Sequence, residues 1–390
     1  MLERQGFDRV IEYAPPYFAI PPVGYGGSER VIAGIVDSFT RNASALSFKT
    51  ELWAAGDSYA HTDEEDRPEI VATAEKSLGF EKPFEANAQI QHDLHSIRRA
   101  MREDFTAAAH FHTEDVHFSV FGQDRELASR TLTTVHNPVK PWYGDYREMP
   151  LVAISDAQKN LLGLDDDFDF VRVVHNGICP DLFIPNYDVA PDAPLSFLGR
   201  FSPDKNPGDA VRIALEACVP VRLAGTIDPQ NPECLAEIER YQADHGAARV
   251  AFVGAVSDTC DPALGQSSKN HLLGQSRAML FPIQWQEPFG LVVIEANACG
   301  TPVIAYDHPG SAVNELIIDG VNGFKVKTLE EAAEAVKRLQ HIDRRGVRRH
   351  FERNFTSDVM AERYARIFTE DLPAYHRFRQ KRNSVPAGFH

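Results

Sequence analysis

Short apolar runs alternate with longer amphipathic stretches along most of the chain. Residues 10–14, 52–55, 108–112, 130–135, 151–155 and 171–174 are brief, rich in apolar and β-branched residues and bounded by polar or turn-forming positions, which predicts buried strands. Val31, Ile32, Ile35, Val36 and Phe39 recur at helical spacing, and residues 89–106 read as a second amphipathic helix. Residues 61–85 are polar and carry the acidic run 63–66, so a solvated loop is expected there. The stretch 184–195, IPNYDVAPDAPL, is Pro-rich and aperiodic and is the expected linker. The alternation restarts after it through 195–198, 221–228, 249–256, 278–283, 301–306 and 324–326, with helices expected over 329–340 and 357–375. The basic run 344–353, RRGVRRHFER, is expected to be a solvated helix face, and the tail from Lys381 onward to be loosely held. Strands alternating with helices predict an α/β chain, and the restart predicts two domains.

Composition narrows the class without changing it. The 390 residues are 43% hydrophobic and 25% charged, enough for two domains with ample cores. No apolar run approaches the roughly 20 residues of a membrane span, and the N-terminal stretch lacks a basic, apolar leader, so the cytoplasm is the expected compartment. The five cysteines form no C-x-x-C pair, which argues against a metal cluster or a disulfide framework. The net charge of −16 is uneven, because residues 1–190 hold 31 Asp+Glu against 17 Lys+Arg. Such a surface repels nucleic acid and anionic bilayers and argues against membrane association through the first half.

The candidate chemistry centres on residues 287–299, EPFGLVVIEANAC. Pro288 and Gly290 precede the apolar run 291–294, Gly300 is placed to stop the helix, and strands are expected on both sides. That places the loop at the carboxyl end of a strand, where open α/β sheets bind ligands. A helix beginning near Gly290 would offer the N–H groups of Phe289, Gly290 and Leu291 to an anion. Glu287 then stands just outside the helix and Glu295 about one turn inside it. Carboxylates accept hydrogen bonds from hydroxyls, so a sugar joined to a phosphate is the matching ligand. Arg200 and Lys205 share one loop at another strand end and suit a diphosphate. Gly24, Gly26 and Gly27 form a tight loop feeding a helix with Ser28 as its expected N-cap. The loop lacks the Lys-Ser/Thr ending of a P-loop. His136 ends a strand, while His110, His112 and His117 lack the context of a metal cluster. The D-x-D spacings of 165–170 raise a GT-A transferase as a competitor, but they fall between a helix and a strand, where a solvated acidic loop is the ordinary outcome.

EPFGLVVIE, with G-R-x-x-x-x-K at 199–205, resembles the retaining glycosyltransferases of family 4, and the resemblance covers nearly the whole chain. The GGSER loop, TVHN at 134–137, HNGI at 175–178 and HPGS at 308–311 are similar to segments of the same family. The resemblance implies the GT-B fold, with two Rossmann-like domains facing a cleft and a final helix crossing back over the first. It implies an acceptor-binding domain over 1–188, a nucleotide-sugar-binding domain over 189–370 and a tail over 371–390. Gly26 and Gly27 would line the cleft, and His136 would approach the donor sugar. Arg200 and Lys205 would clamp the diphosphate, with Val256 near the base. Glu287 would hold the sugar, Glu295 the ribose, and Phe289, Gly290 and Leu291 the phosphates.

The expected reaction moves a hexose from a nucleoside diphosphate sugar, UDP-sugar favoured and GDP-sugar possible, to a hydroxyl of a soluble acceptor. Configuration would be retained without a catalytic metal or other cofactor, making the nucleotide sugar a co-substrate. A nucleotide-sugar 2-epimerase, a phosphorylase and a non-catalytic sugar-nucleotide sensor are the alternatives. The insertion at 257–268 departs from the family pattern.

Overall fold

The computed structural model describes residues 6–22, 24, 26–60, 67–112, 116–136, 145–261 and 266–384. The chain forms two compact units, Met1–Gly177 with Ser357–His390, and Ile178–Thr356. The first unit holds strands β1 (Arg9–Tyr13), β2 (Lys49–Ala55), β3 (Glu69–Ala74), β4 (Ala107–Phe111), β5 (Thr131–Val135), β6 (Leu151–Ala153) and β7 (Val171–Val173). They form one sheet in the order β3-β2-β1-β4-β5-β6-β7. Its pairings are parallel throughout. The order reverses between β1 and β4, so the ligand-binding position of such a sheet lies at their carboxyl ends. β4 and β5 are buried at every position, as expected of strands covered on both faces.

The second unit repeats the plan with β8 (Leu195–Leu198), β9 (Val221–Ala224), β10 (Val250–Gly254), the short hairpin β11 (Cys260–Asp261) and β12 (Gln266–Ser267), then β13 (Met279–Phe281), β14 (Val303–Tyr306) and β15 (Gly323–Val326). The main sheet runs β10-β9-β8-β13-β14-β15, with its reversal between β8 and β13. Leu195, Phe197, Val221, Leu223, Val250, Leu280 and Ile304 sit in its core.

Several expectations change. The polar stretch 61–85 contains β3, a half-exposed edge strand paired to β2, and partial exposure is what hid it. Ser28 is not the N-cap, because the helix Gly27–Arg41 starts two residues earlier than that cap implies and is capped by Gly26 at φ 140°. The units divide between Gly177 and Ile178 rather than between 188 and 189. The Pro-rich stretch is part of the second unit, held by the Asn186 N–H on the Cys299 carbonyl at 3.0 Å. The basic helix Arg344–Asn354 is not wholly solvated. Arg348 is buried and donates to the carbonyls of Ala298 at 2.6 Å and Phe183 at 3.1 Å, while Arg344 donates to Asn186 O and Thr301 Oγ1, each at 2.7 Å.

Residues 357–384 belong to the first unit, through the helix Ser357–Arg366, a π-helical turn Ile367–Asp371 and the helix Leu372–Ser384. Tyr364, Phe368 and Leu372 are fully buried. Ser38 Oγ donates to Asp358 at 2.6 Å, and Tyr375 Oη to the Glu148 carbonyl at 2.9 Å. No described helix is long and apolar enough to cross a membrane.

Candidate active site

In the second unit the carboxyl ends of β8 and β13 carry the predicted residues. Gly199 leaves β8 with its N–H on the Ala224 carbonyl at 3.1 Å. Gly225 sits opposite at φ +149°, and a Cβ there would lie 1.7 Å from the Gly199 carbonyl oxygen, so two glycines let two strand ends touch. Arg200 then reaches solvent, 3.7 Å from Asp204 and 3.9 Å from Asp228. Asn206 adopts a left-handed conformation and caps the helix Pro207–Glu216 through its side chain. It also donates to the Pro282 carbonyl at 3.2 Å, which fastens this loop to the end of β13.

Lys205 Nζ meets Glu287 Oε2 at 2.5 Å, and Trp285 Nε1 donates to the same oxygen at 3.0 Å. The ammonium also lies 4.8 Å from the centre of the Trp285 ring. Thus the cation expected at the diphosphate and the carboxylate expected at the sugar bind each other. The backbone of Glu287 is held in turn, its carbonyl accepting the Ala312 N–H at 2.9 Å. That contact places the His308–Gly310–Ser311 loop beside it.

The helix Leu291–Ala298 begins one residue later than expected, with Gly290 as its N-cap at φ 96° and no acidic residue in its first turn. Helix geometry leaves its first N–H groups without intrahelical acceptors and their positive end without a charge partner on the helix. Phe289 is buried and lies edge-to-face with Phe355, so its ring is not offered to a ligand. Glu295 is only 3% exposed. Its Oε1 accepts from Lys269 Nζ at 2.9 Å, and Lys269 also pairs with Asp258 at 2.7 Å. Its Oε2 is buried with no hydrogen-bond partner among the described residues. Val256 follows β10 and is half-buried, next to Ser257, whose N–H donates to Ser268 Oγ at 2.8 Å. The heart of the insertion, 262–265, lies outside the described residues.

The first unit holds the other predicted residues. Gly26 and Gly27 begin the helix after β1, and Arg30 donates to the carbonyls of Gly24 and Gly26. His136 follows β5 and sits in a cluster that sequence inspection missed. Glu12 on β1 faces His110 on β4 in register. His110 Nδ1 lies 2.9 Å from Glu12 Oε2, and His112 Nε2 lies 3.2 Å from it. His112 Nδ1 meets His136 Nε2 at 3.0 Å, and the two rings stack. His110 Nε2 meets Thr134 Oγ1, which meets Tyr364 Oη, both at 2.8 Å.

Burial alone would raise the Glu12 carboxyl, but the His110 and His112 rings outweigh it and hold it down at about 2. Burial, reinforced by His110, lowers His112 to about 4, and burial keeps His136 well below the usual imidazole range. The ligand-capable atoms of Glu12, His110 and His112 lie within 4.8 Å of one another, a spacing that could also hold a metal ion. His117 stands apart from the trio, 2.7 Å from Thr133 Oγ1 and stacked on Phe111. The acidic run is a short exposed helix Leu164–Asp167, with Asp165 paired to Lys159 at 3.0 Å.

Comparison with known proteins adds the family context. Residues 195–356 match the family Glycosyl transferases group 1. The D-inositol 3-phosphate glycosyltransferase of Mycolicibacterium smegmatis is 29% identical over 225 residues, 50% of this chain and 49% of that protein. This chain has the GT-B fold, and its second unit matches a glycosyltransferase family. Its fold is shared with a glycosyltransferase involved in avilamycin A biosynthesis, at 20% identity and a TM-score of 0.63 over 93% of this chain and 98% of that one. The Anabaena HepE protein in complex with UDP and glucose shares it too, at 17% identity and a TM-score of 0.64 over 93% and 99%. The chain spans about half the length of the curated relatives it matches. Within this GT-B chain the family match falls wholly inside the second unit, which holds Arg200, Lys205, Glu287 and Glu295.

Proposed function

We propose that this chain is a retaining glycosyltransferase that moves a hexose from a nucleoside diphosphate sugar to an acceptor hydroxyl. The observation that carries this reading is Glu295 Oε2. A buried carboxylate oxygen without a partner costs free energy unless a donor reaches it. It lies in a helix whose N-terminus suits phosphate, at the carboxyl end of the sheet's reversal point. A ribose hydroxyl fits the oxygen, and the attached diphosphate fits the helix end with Arg200 and Lys205.

Glu287 receives the sugar. Because Lys205 and Glu287 bind each other, an arriving diphosphate competes for the ammonium and leaves the carboxylate to the sugar hydroxyls. Charge on the leaving diphosphate is stabilised by the two cations and the helix end, without need of a metal. In this reading His136 contacts a sugar hydroxyl. UDP is the favoured nucleotide, in keeping with the fold relative that binds UDP and glucose. The acceptor is a soluble molecule. The relative's name puts a phosphorylated cyclitol among the candidates, whereas the acidic first half, with 31 Asp+Glu against 17 Lys+Arg, favours its neutral counterpart.

The test is thermal melting of the whole chain against nucleoside diphosphates and their sugars, followed by donor turnover with and without excess chelator. A ligand at 100 times its dissociation constant adds about 2.7 kcal/mol of stability. Turnover that survives chelation supports the reading. Turnover that collapses and returns with magnesium or manganese counts against the metal-free mechanism, and no stabilisation by any nucleotide counts against the site.

A further inference from the structure

We propose that Glu12, acting through His112, is a positioning residue that fixes the tautomer of His136, with the proton on Nε2 and the lone pair on Nδ1. The argument is a count of protons along one hydrogen-bonded chain. Glu12 is fully buried on β1, beside β4, where the strand order of the first sheet reverses. A carboxylate can only accept. The two ring nitrogens that face it, His110 Nδ1 and His112 Nε2, must therefore both carry hydrogen.

Each branch then has one consistent direction. On one side His110 Nε2 is left with its lone pair and accepts from the Thr134 hydroxyl, which accepts from the Tyr364 hydroxyl. The Thr134 hydroxyl thus gives one hydrogen bond and takes one. On the other side the neutral His112 ring has its lone pair on Nδ1, and the atom 3.0 Å away is His136 Nε2. That nitrogen must donate. The opposite His136 tautomer would set two lone pairs against each other at that distance. Burial keeps His112 and His136 neutral near pH 7, consistent with the count.

The consequence for His136 is a directional side chain. It can receive a hydroxyl proton at Nδ1 but cannot offer one there, which favours one orientation of a sugar hydroxyl over its reverse. That catalytic consequence rests on the sugar-transfer reading, whereas the tautomer does not.

The experiment is long-range proton–nitrogen NMR at pH 7 on the full chain labelled with ¹⁵N-histidine, with His136→Gln used to assign the His136 signals. The expected spectrum shows His136 and His112 each carrying one proton, on Nε2. A proton on His136 Nδ1, a doubly protonated His136, or one equivalent of bound metal by elemental analysis would overturn the proposal. Glu12→Gln supplies the second arm, because an amide accepts at one atom and donates at the other, so one facing ring must reverse. A folded variant in which His112 reverses is expected to lose the pure Nε2–H form of His136. Its kcat should fall about tenfold, the worth of one hydrogen bond, with donor KM within about twofold. A folded Glu12→Gln in which His112 reverses while His136 keeps its tautomer, or in which neither facing ring reverses, overturns the proposal; if that variant does not fold or reverses His110 instead, the wild-type spectrum decides. Absence of sugar transfer by the wild type counts against the functional reading alone, leaving the spectrum to judge the relay.

Discussion

Glu287 and Glu295 stand in one motif, yet their surroundings give them different work. Glu295 Oε2 is the unpartnered atom, and ribose hydroxyls are common to a nucleotide and its sugar. A hydrogen bond to a charged group contributes about 1.5–3 kcal/mol, so Glu295→Ala should weaken UDP and UDP-sugar alike by roughly 10- to 150-fold. Glu287→Ala removes the partner of Lys205 and the contact to the sugar. It should leave UDP affinity intact or improved, weaken the sugar donor and depress turnover. Calorimetry of both ligands on both variants decides, and equal losses everywhere would refute the division. His117 carries a prediction of another kind. Burial pushes its ring down to about 3, so the folded chain resists a proton that the unfolded chain binds near the ordinary 6.5. His112, lowered to about 4, acts in the same direction. Stability is therefore fully present above about pH 6.5 and falls as the pH drops toward 4, by about 1.4 kcal/mol per pH unit for each such ring. Urea midpoints between pH 7 and 5 measure this, and a flat profile would contradict it. The glutamates and the Arg200–Lys205 loop were legible in sequence because local spacing defines them. Glu12 and Lys269 were not: Glu12 meets His110 only through strand register, and Lys269 meets Glu295 only once its helix lies beside Leu291–Ala298.

Elements position these side chains through a few close approaches. The contact of Gly199 with Gly225 is the tightest, and it sets where the Arg200 loop leaves the sheet. Gly225→Ala is strained both by its positive φ and by the Gly199 carbonyl, so the backbone must move. We expect a cost of about 1–3 kcal/mol with weakened diphosphate binding, read by urea titration and calorimetry; an unchanged midpoint would show that the loop yields freely. Elements buried on both sides were readable from their apolar runs, as β4 and β8 show. The edge strand β3 was not, because EIVATA buries little and its neighbours are polar. The helix Arg344–Asn354 misled for the opposite reason: its arginines look solvated in sequence, yet Arg344 and Arg348 satisfy carbonyls of the Pro-rich stretch and of neighbouring loops.

At the scale of the molecule, two similar sheets are wired differently along the chain. The second unit is one continuous segment, whereas the first needs Ser357–His390 to complete it. Tyr364, Phe368 and Leu372 are all fully buried there. At about 1.5–3 kcal/mol each their loss removes about 5–9 kcal/mol, comparable to the whole stability of a domain. A chain ending at Thr356 should therefore lose the cooperative melt of its first unit; a retained two-transition melt would show that the returning helices are dispensable. The same wiring reaches back to synthesis. Domains usually fold in the order in which they leave the ribosome. Here the amino-terminal unit emerges first but stays incomplete until residues 357–384 are made, while the second unit is already whole. The nascent chain thus carries a complete sheet without its returning helices, with Glu12 and its histidines less covered, until residues 357–384 are made, and the half made second is the first able to fold.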